Sequence, residues 1–165
     1  MTPLFLREFA DFVESELGGA AAARLRTTPP GRADLRELAA ALAPGGANGE
    51  LLRRFGCSLF GRLATLYPAL FCGARSWREL LLDVAPRVHA ELQALQPDAE
   101  LPVLCSRRLY DGRVEVEYRS PRDLEPLAEG LLLGCLDYFG ATGSVTRQIH
   151  PGTEAHVCRF IVRSS

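Results

Sequence analysis

The sequence predicts an α+β fold, a mainly helical amino-terminal part packed with a carboxy-terminal antiparallel sheet of about four strands plus a helix. Three observations predict it. Apolar residues recur near every 3.6 positions through most of the first 95 residues, the period changes to strict alternation after Pro97 and Pro102, and one more apolar helical run separates two hairpin patterns. The chain of 165 residues suits one domain spanning 1–165, with a helical lobe over 1–66 and a second lobe carrying the sheet over 67–165.

Residues 1–17 set Leu4, Phe5, Phe9, Phe12, Val13 and Leu17 at helical spacing, with Gly18-Gly19 as the stop. From 20 to 49 the composition turns to Ala, Gly and Pro. There Thr27-Thr28-Pro29-Pro30-Gly31 is a breaker, and one short helix is predicted over 34–43, before Pro44-Gly45-Gly46. A longer helix spans about 50–66 and ends at Tyr67-Pro68. The next starts at Ser76, whose Ser-x-x-Glu pattern to Glu79 reads as a capping box, and it carries His89. Tyr110-Asp111-Gly112-Arg113 offers a two-residue hairpin turn between strands near 103–110 and 113–119. In the second strand Val114, Val116 and Tyr118 share one face, and Arg113, Glu115, Glu117 and Arg119 the other, so Tyr118 points inward. A helix over about 122–139 ends at Gly140 and Gly143, and strands at 144–149 and 156–163, joined through Pro151-Gly152, complete the sheet.

Nineteen basic against 20 acidic residues leave a net charge of −1, which gives no surplus to hold a nucleic-acid backbone or an anionic membrane. With 47% hydrophobic residues and no apolar run of membrane-spanning length, the composition is that of a globular protein. The first 17 residues carry Arg7, Glu8, Asp11, Glu14 and Glu16, unlike a signal peptide, so a cytoplasmic location is expected. Every basic side chain apart from the three histidines is arginine, which excludes Schiff-base chemistry and the phosphate-loop lysine. Five scattered cysteines fit neither a disulfide framework nor a zinc site and read as reduced, largely buried thiols.

His89 stands out because it lies on a strongly apolar helix. On a helical wheel Trp77, Leu81, Val84, Val88, Leu92 and Leu95 form the apolar stripe, and Leu82, Ala85 and His89 line its edge. Taken alone, such a residue is more often a satisfied core or boundary histidine than a metal ligand. Pro86, three residues earlier, removes a backbone donor and is expected to kink or shift the turn that aims the imidazole. A second constellation, Tyr118-x-Ser120-x-Arg122, runs from a strand end into a helix start. It brings two hydroxyls and a guanidinium together, a group suited to carboxylates, although a capped junction with Arg122 paired to Asp123 or Glu125 explains the same residues. His150 and His156 flank a turn, where exposure to solvent is the plain reading.

Taken together, the two constellations resemble the heme nitric oxide/oxygen binding family, H-NOX, and in particular its small bacterial stand-alone members. The likeness runs through nearly the whole chain: Phe5, Phe9, Val13, Glu14 and Gly18 in the opening helix, Leu51-Leu52-Arg53-Arg54-Phe55-Gly56 and Leu66-Tyr67-Pro68-Ala69-Leu70-Phe71 in the middle. Glu129-Gly130-Leu131, Gly134-Cys135 and Tyr138-Phe139-Gly140 continue it. The sharpest part is the spacing from His89 to Pro97 and Pro102, followed by the Tyr118-x-Ser120-x-Arg122 motif. The resemblance implies heme b, with His89 as the iron ligand, Pro102 pressing on the porphyrin, and Tyr118, Ser120 and Arg122 holding the propionates. It makes 1–66 the distal lobe and 67–165 the proximal lobe. It further implies a distal pocket of Phe5, Phe9, Leu59 and Leu127. Leu127 stands where oxygen-binding members have a tyrosine, which favours nitric oxide or carbon monoxide over oxygen; Tyr138 and Tyr67 are the alternative donors. Residues 18–34 form a segment about a dozen residues shorter than the family's usual helical layout, on the side that covers the distal pocket.

A heme-based gas sensor signalling in trans is therefore the leading expectation, a receptor and not an enzyme, with a partner such as a histidine kinase or a cyclic dinucleotide enzyme. The alternative keeps the fold without heme and places a fatty acid or other apolar carboxylate in the same pocket. A hydrolase is disfavoured, since no nucleophile elbow or suitably paired histidine is present.

Overall fold

The computed structural model describes residues 3–27, 34–43, 45–95, 102–120, 122–149 and 156–164. The order is α1 (Pro3–Leu17), α2 (Gly19–Arg26), α3 (Leu35–Leu42), α4 (Asn48–Leu66), α5 (Pro68–Phe71), α6 (Trp77–Glu79), a π-helical turn (Leu80–Val84), α7 (Ala85–Leu95), β1 (Val103–Arg108), β2 (Val114–Ser120), α8 (Glu125–Tyr138), β3 (Gly143–Ile149) and β4 (His156–Ser164). The strands form an antiparallel four-stranded sheet in the order β1-β2-β4-β3. This is the α+β arrangement expected, helices first and sheet with α8 last.

The Gly18-Gly19 stop ends α1, with Gly18 at φ 90°, but the chain turns straight into α2. The alanine run was expected only as a change of composition. It folds because Ala22 and Leu25 bury in the apolar cluster of α1, while Arg26 reaches back to Asp11 (2.8 Å) and Glu14 (2.6 Å). Asp34 caps α3 by accepting from the Arg36 and Glu37 amides. The breaker residues 28–31, Pro97, His150 and the Pro151-Gly152 turn lie outside the described residues.

Three local expectations are corrected. The loop between β1 and β2 has three residues, not two: Leu109 accepts from the Gly112 amide and donates to the Arg113 carbonyl, and Gly112 sits at φ 81°, the left-handed position such a loop requires. Arg122 does not open a helix, since α8 begins at Glu125 and the Leu124 amide donates to the Arg122 carbonyl in the junction (2.8 Å). Of the five thiols, all free, Cys135 and Cys158 are buried and Cys57 is half-buried. Cys72 is exposed in the turn after α5, and Cys105 on the outward face of edge strand β1.

Two apolar clusters share the interior. One joins α1, α2, α3 and α4 around Phe9, Phe55, Leu52 and Leu59 and takes in Leu127 of α8. The other packs Phe60, Trp77, Leu80, Leu81, Val84 and the α8 residues Leu132, Cys135 and Leu136 against the inner sheet face of Val114, Val116, Tyr118, Phe160 and Val162. Leu131 packs against both. The clusters meet because α4 and α8 approach backbone to backbone: a Cβ at Gly130 would strike the Arg53 carbonyl, one at Gly56 the Leu127 carbonyl, and one at Gly134 the Cys57 carbonyl.

Candidate functional site

Strand β2 and the junction after it position the polar group. Alternation buries Tyr118 and Ser120 on the inner face, 4% and 3% exposed. The Ser120 hydroxyl accepts from the Arg122 backbone amide (3.1 Å). The motif residues are thus brought together, although Arg122 belongs to the junction. Burial pushes the Tyr118 phenol up, so it stays protonated at neutral pH and keeps its proton for an acceptor. Asp123, one of the two acids suggested as a partner of Arg122, pairs with Arg36 of α3.

His89 lies in the second turn of α7. Its Nδ1 is buried and has no hydrogen-bond partner. An orphaned ring nitrogen costs about 1–3 kcal/mol, so the reading of His89 as a satisfied core histidine does not describe it. Desolvation holds the imidazole below its ordinary pKa, which keeps it neutral and its lone pair available. Val88 and Leu82 beside it pack against the cluster that contains Tyr118. Among the described residues no group of three or more His, Cys, Asp and Glu side chains could hold a metal ion, so no multi-ligand metal cage is present there. Burial raises the thiols of the sheet-side cluster, Cys158 to about 11 and Cys135 to about 12, so neither offers a thiolate in competition. The donor set fits a heme iron: one neutral imidazole on an apolar wall, with hydroxyls and a guanidinium for carboxylates.

Pro102 is half-buried at the entry to β1. On the other side of α8, Phe9, Leu59 and Leu127 are buried in one cluster and Phe5 packs against it. Tyr67 and Tyr138, the alternative distal donors, are not there. Tyr67 is 43% exposed, and Tyr138, 51% exposed, stacks with Phe60, Phe71 and Phe139. Tyr110 is fully exposed at the hairpin tip and Tyr118 is in the sheet cluster, so no tyrosine of the chain lies in the distal cluster. Sequence reasoning missed Leu131, which touches both clusters; its signal is the Gly130-Leu131-Leu132-Leu133-Gly134 frame, whose glycines bring α4 close on both sides of it.

Fold and side-chain placement together define a class, an α+β domain that, among its described residues, has an unpartnered buried imidazole nitrogen on α7 and two buried hydroxyls on the inner face of β2. The profile of the Haem-NO-binding family matches residues 37–147, and the chain belongs to that family, whose members are sensor domains and not catalysts. Solved H-NOX structures share its fold. A T. Tengcongensis H-NOX variant aligns at TM-score 0.84 and 18% identity over 99% of this chain and 97% of that one. A Cs H-NOX mutant carrying 4-cyano-L-phenylalanine aligns at 0.85 and 18%, over 99% and 96%. An S. oneidensis H-NOX protein in the Fe(II)NO ligation state aligns at 0.78 and 22%, over 100% and 99%. No curated protein matches the chain. Among the described residues no helix is long and apolar enough to cross a membrane.

Proposed function

We propose that this protein is a heme-based sensor of nitric oxide, responding also to carbon monoxide, that signals in trans. The observation that carries the reading is the buried, unpartnered Nδ1 of His89 on a helix packed against the cluster of Tyr118. In this reading His89 is the single protein ligand to heme b, and Tyr118, Ser120 and Arg122 hold its carboxylates with charge-assisted bonds. The resemblance gives Pro102 a contact with the macrocycle. When bound, the group supplies an iron able to take a diatomic gas.

The chain's own residues then set selectivity. Phe5, Phe9, Leu59 and Leu127 line the gas side with carbon and offer no hydrogen bond, so a ligand that depends on a donor, as oxygen does, is disfavoured. The division into a distal lobe, 1–66, and a proximal lobe, 67–165, belongs to the same proposal: movement of the first lobe is the output. Its recipient is a separate signalling protein such as a histidine kinase or a cyclic dinucleotide enzyme. A cytoplasmic location goes with such partners.

Titration of the purified chain with hemin, followed by reduction and exposure to each gas, tests the proposal. The expected result is one equivalent bound with an intense Soret band that moves with nitric oxide and carbon monoxide and shows no lasting change with air. No Soret band, with saturable binding of oleate sensitive to Arg122→Ala, would establish the heme-free carboxylate reading instead.

A further inference from the structure

The helix carrying His89 is not regular. Between α6 and α7 the Ala85 amide donates to the Leu80 carbonyl, five residues back, and the wide turn Leu80–Val84 holds one residue more than an α-helical turn would. Pro86 follows it after one residue, Ala85. A proline ring inside an α-helix collides with the carbonyl four residues earlier, here that of Leu82, and leaves that carbonyl without its donor. Widening the turn before the ring relieves the collision, and the Arg87 guanidinium donates to the neighbouring Asp83 carbonyl (2.9 Å).

The extra residue changes where the helix faces. Trp77, Leu80, Leu81 and Val84 are all buried in the sheet-side cluster and define the inward direction. In an unbroken α-helix His89 would lie about 120° around from Trp77, on the edge of that stripe, as the helical wheel puts it. A turn that takes in one added residue sets everything after it back by about 100°. His89 then comes to about 20° from Trp77, over the stripe, which accounts for the burial of its Nδ1. Val88 moves off the centre of the stripe by the same rotation, to a position from which it still packs against the sheet-side cluster.

We propose that Pro86 is a positioning residue: by imposing the wide turn at Leu80–Val84 it swings His89 onto the buried face of its helix, where the imidazole can take the heme iron. The heme role rests on the function proposed above, whereas the rotation is a property of the chain itself.

Two readouts on the full chain separate these. In the hemin-free protein, modification of His89 by diethyl pyrocarbonate, followed by mass spectrometry, reports its exposure. Pro86→Ala restores the backbone donor, and His89 is expected to react severalfold faster while the melting temperature holds or rises. Hemin retention falls by about 10- to 100-fold, the size of effect seen when the support of a metal ligand is lost, and added imidazole restores the spectrum. Pro86→Gln acts in the same way. Deleting the exposed Asp83 in the Pro86→Ala background removes one residue from the turn, and both protection of His89 and hemin retention return, which a merely structural role for Pro86 does not explain. Unchanged protection of His89 in both Pro86→Ala and Pro86→Gln overturns the proposal, as does failure of the Asp83 deletion to restore it. If the parent binds no hemin yet protection follows this pattern, the rotation stands and the heme reading falls.

Discussion

The two apolar clusters that meet at α8 are made of similar side chains but differ in the polar atoms they admit. The distal one, around Phe9, Phe55, Leu59 and Leu127, contains only carbon side chains. Its one buried acid, Glu8, turns to the rim and pairs with Arg62 (2.9 Å) and Arg7 (3.3 Å). The sheet-side cluster takes in Tyr118 and two thiols, Ser120 is buried on the same strand face as Tyr118, and Val88, next to His89, packs against the cluster. Buried polar atoms are costly unless partnered, so their concentration on one side of α8 is a division of labour. In the proposed function one side binds and orients, and the other accepts a gas without bonding to it. Helix α8 packs against two unlike environments, and the glycines of α4 and α8 let it sit close to both.

Gly130→Ala attacks that junction and has the largest expected effect on stability. Its Cβ meets the Arg53 carbonyl, which a packed backbone cannot yield. A loss of about 3 kcal/mol, at the upper end for overpacking, lowers the melting temperature by roughly 6–12 °C. Calorimetry should show both clusters melting in one transition. Arg122→Ala is next and acts on the polar side only. A charged hydrogen bond to a carboxylate contributes about 1.5–3 kcal/mol, so hemin affinity falls by roughly one to two decades. Arg122→Lys restores the charge without the planar fork and recovers only part of it. An unchanged hemin affinity at an unchanged melting temperature would falsify the clamp and leave a capped junction.

Leu127→Tyr sharpens the contrast from the other side by placing a donor in the carbon-lined cluster. A neutral hydrogen bond contributes about 0.5–1.5 kcal/mol, so the spectral response to oxygen should persist up to about tenfold longer. Flash photolysis in air measures it. The smallest effect is on pH dependence. Burial lowers the His89 pKa from 6.5, so below about pH 6.5 the unfolded chain takes up a proton that the folded chain refuses. The hemin-free protein therefore loses stability as pH falls below that value, until the depressed pKa is reached. His89→Leu removes this contribution, and melting curves of the two proteins between pH 7.5 and 5 should diverge by a few degrees.

The difference between the clusters also marks what the sequence discloses. The alternation of Val114, Val116, Tyr118 and Ser120 places the clamp on an inner sheet face without any coordinates, because a period of two leaves no other choice. The distal set is legible only through family resemblance, since Phe5, Phe9, Leu59 and Leu127 come from three helices whose approach depends on glycines in α4 and α8. The short helix α2 escapes notice because an alanine run carries almost no periodic signal. The facing of His89 is misread by a regular wheel for a physical reason, the residue absorbed in the wide turn before Pro86.

The most direct test of the division of labour is His89→Gly. The chain with that change is expected to lose the Soret band of the hemin-loaded parent and to regain it when imidazole fills the space left by the side chain. Full recovery would show that the rest of the site, the clamp included, is intact without the histidine. A Soret band unchanged in position and intensity without added imidazole would contradict the account, because the iron would then be held by something other than the His89 imidazole.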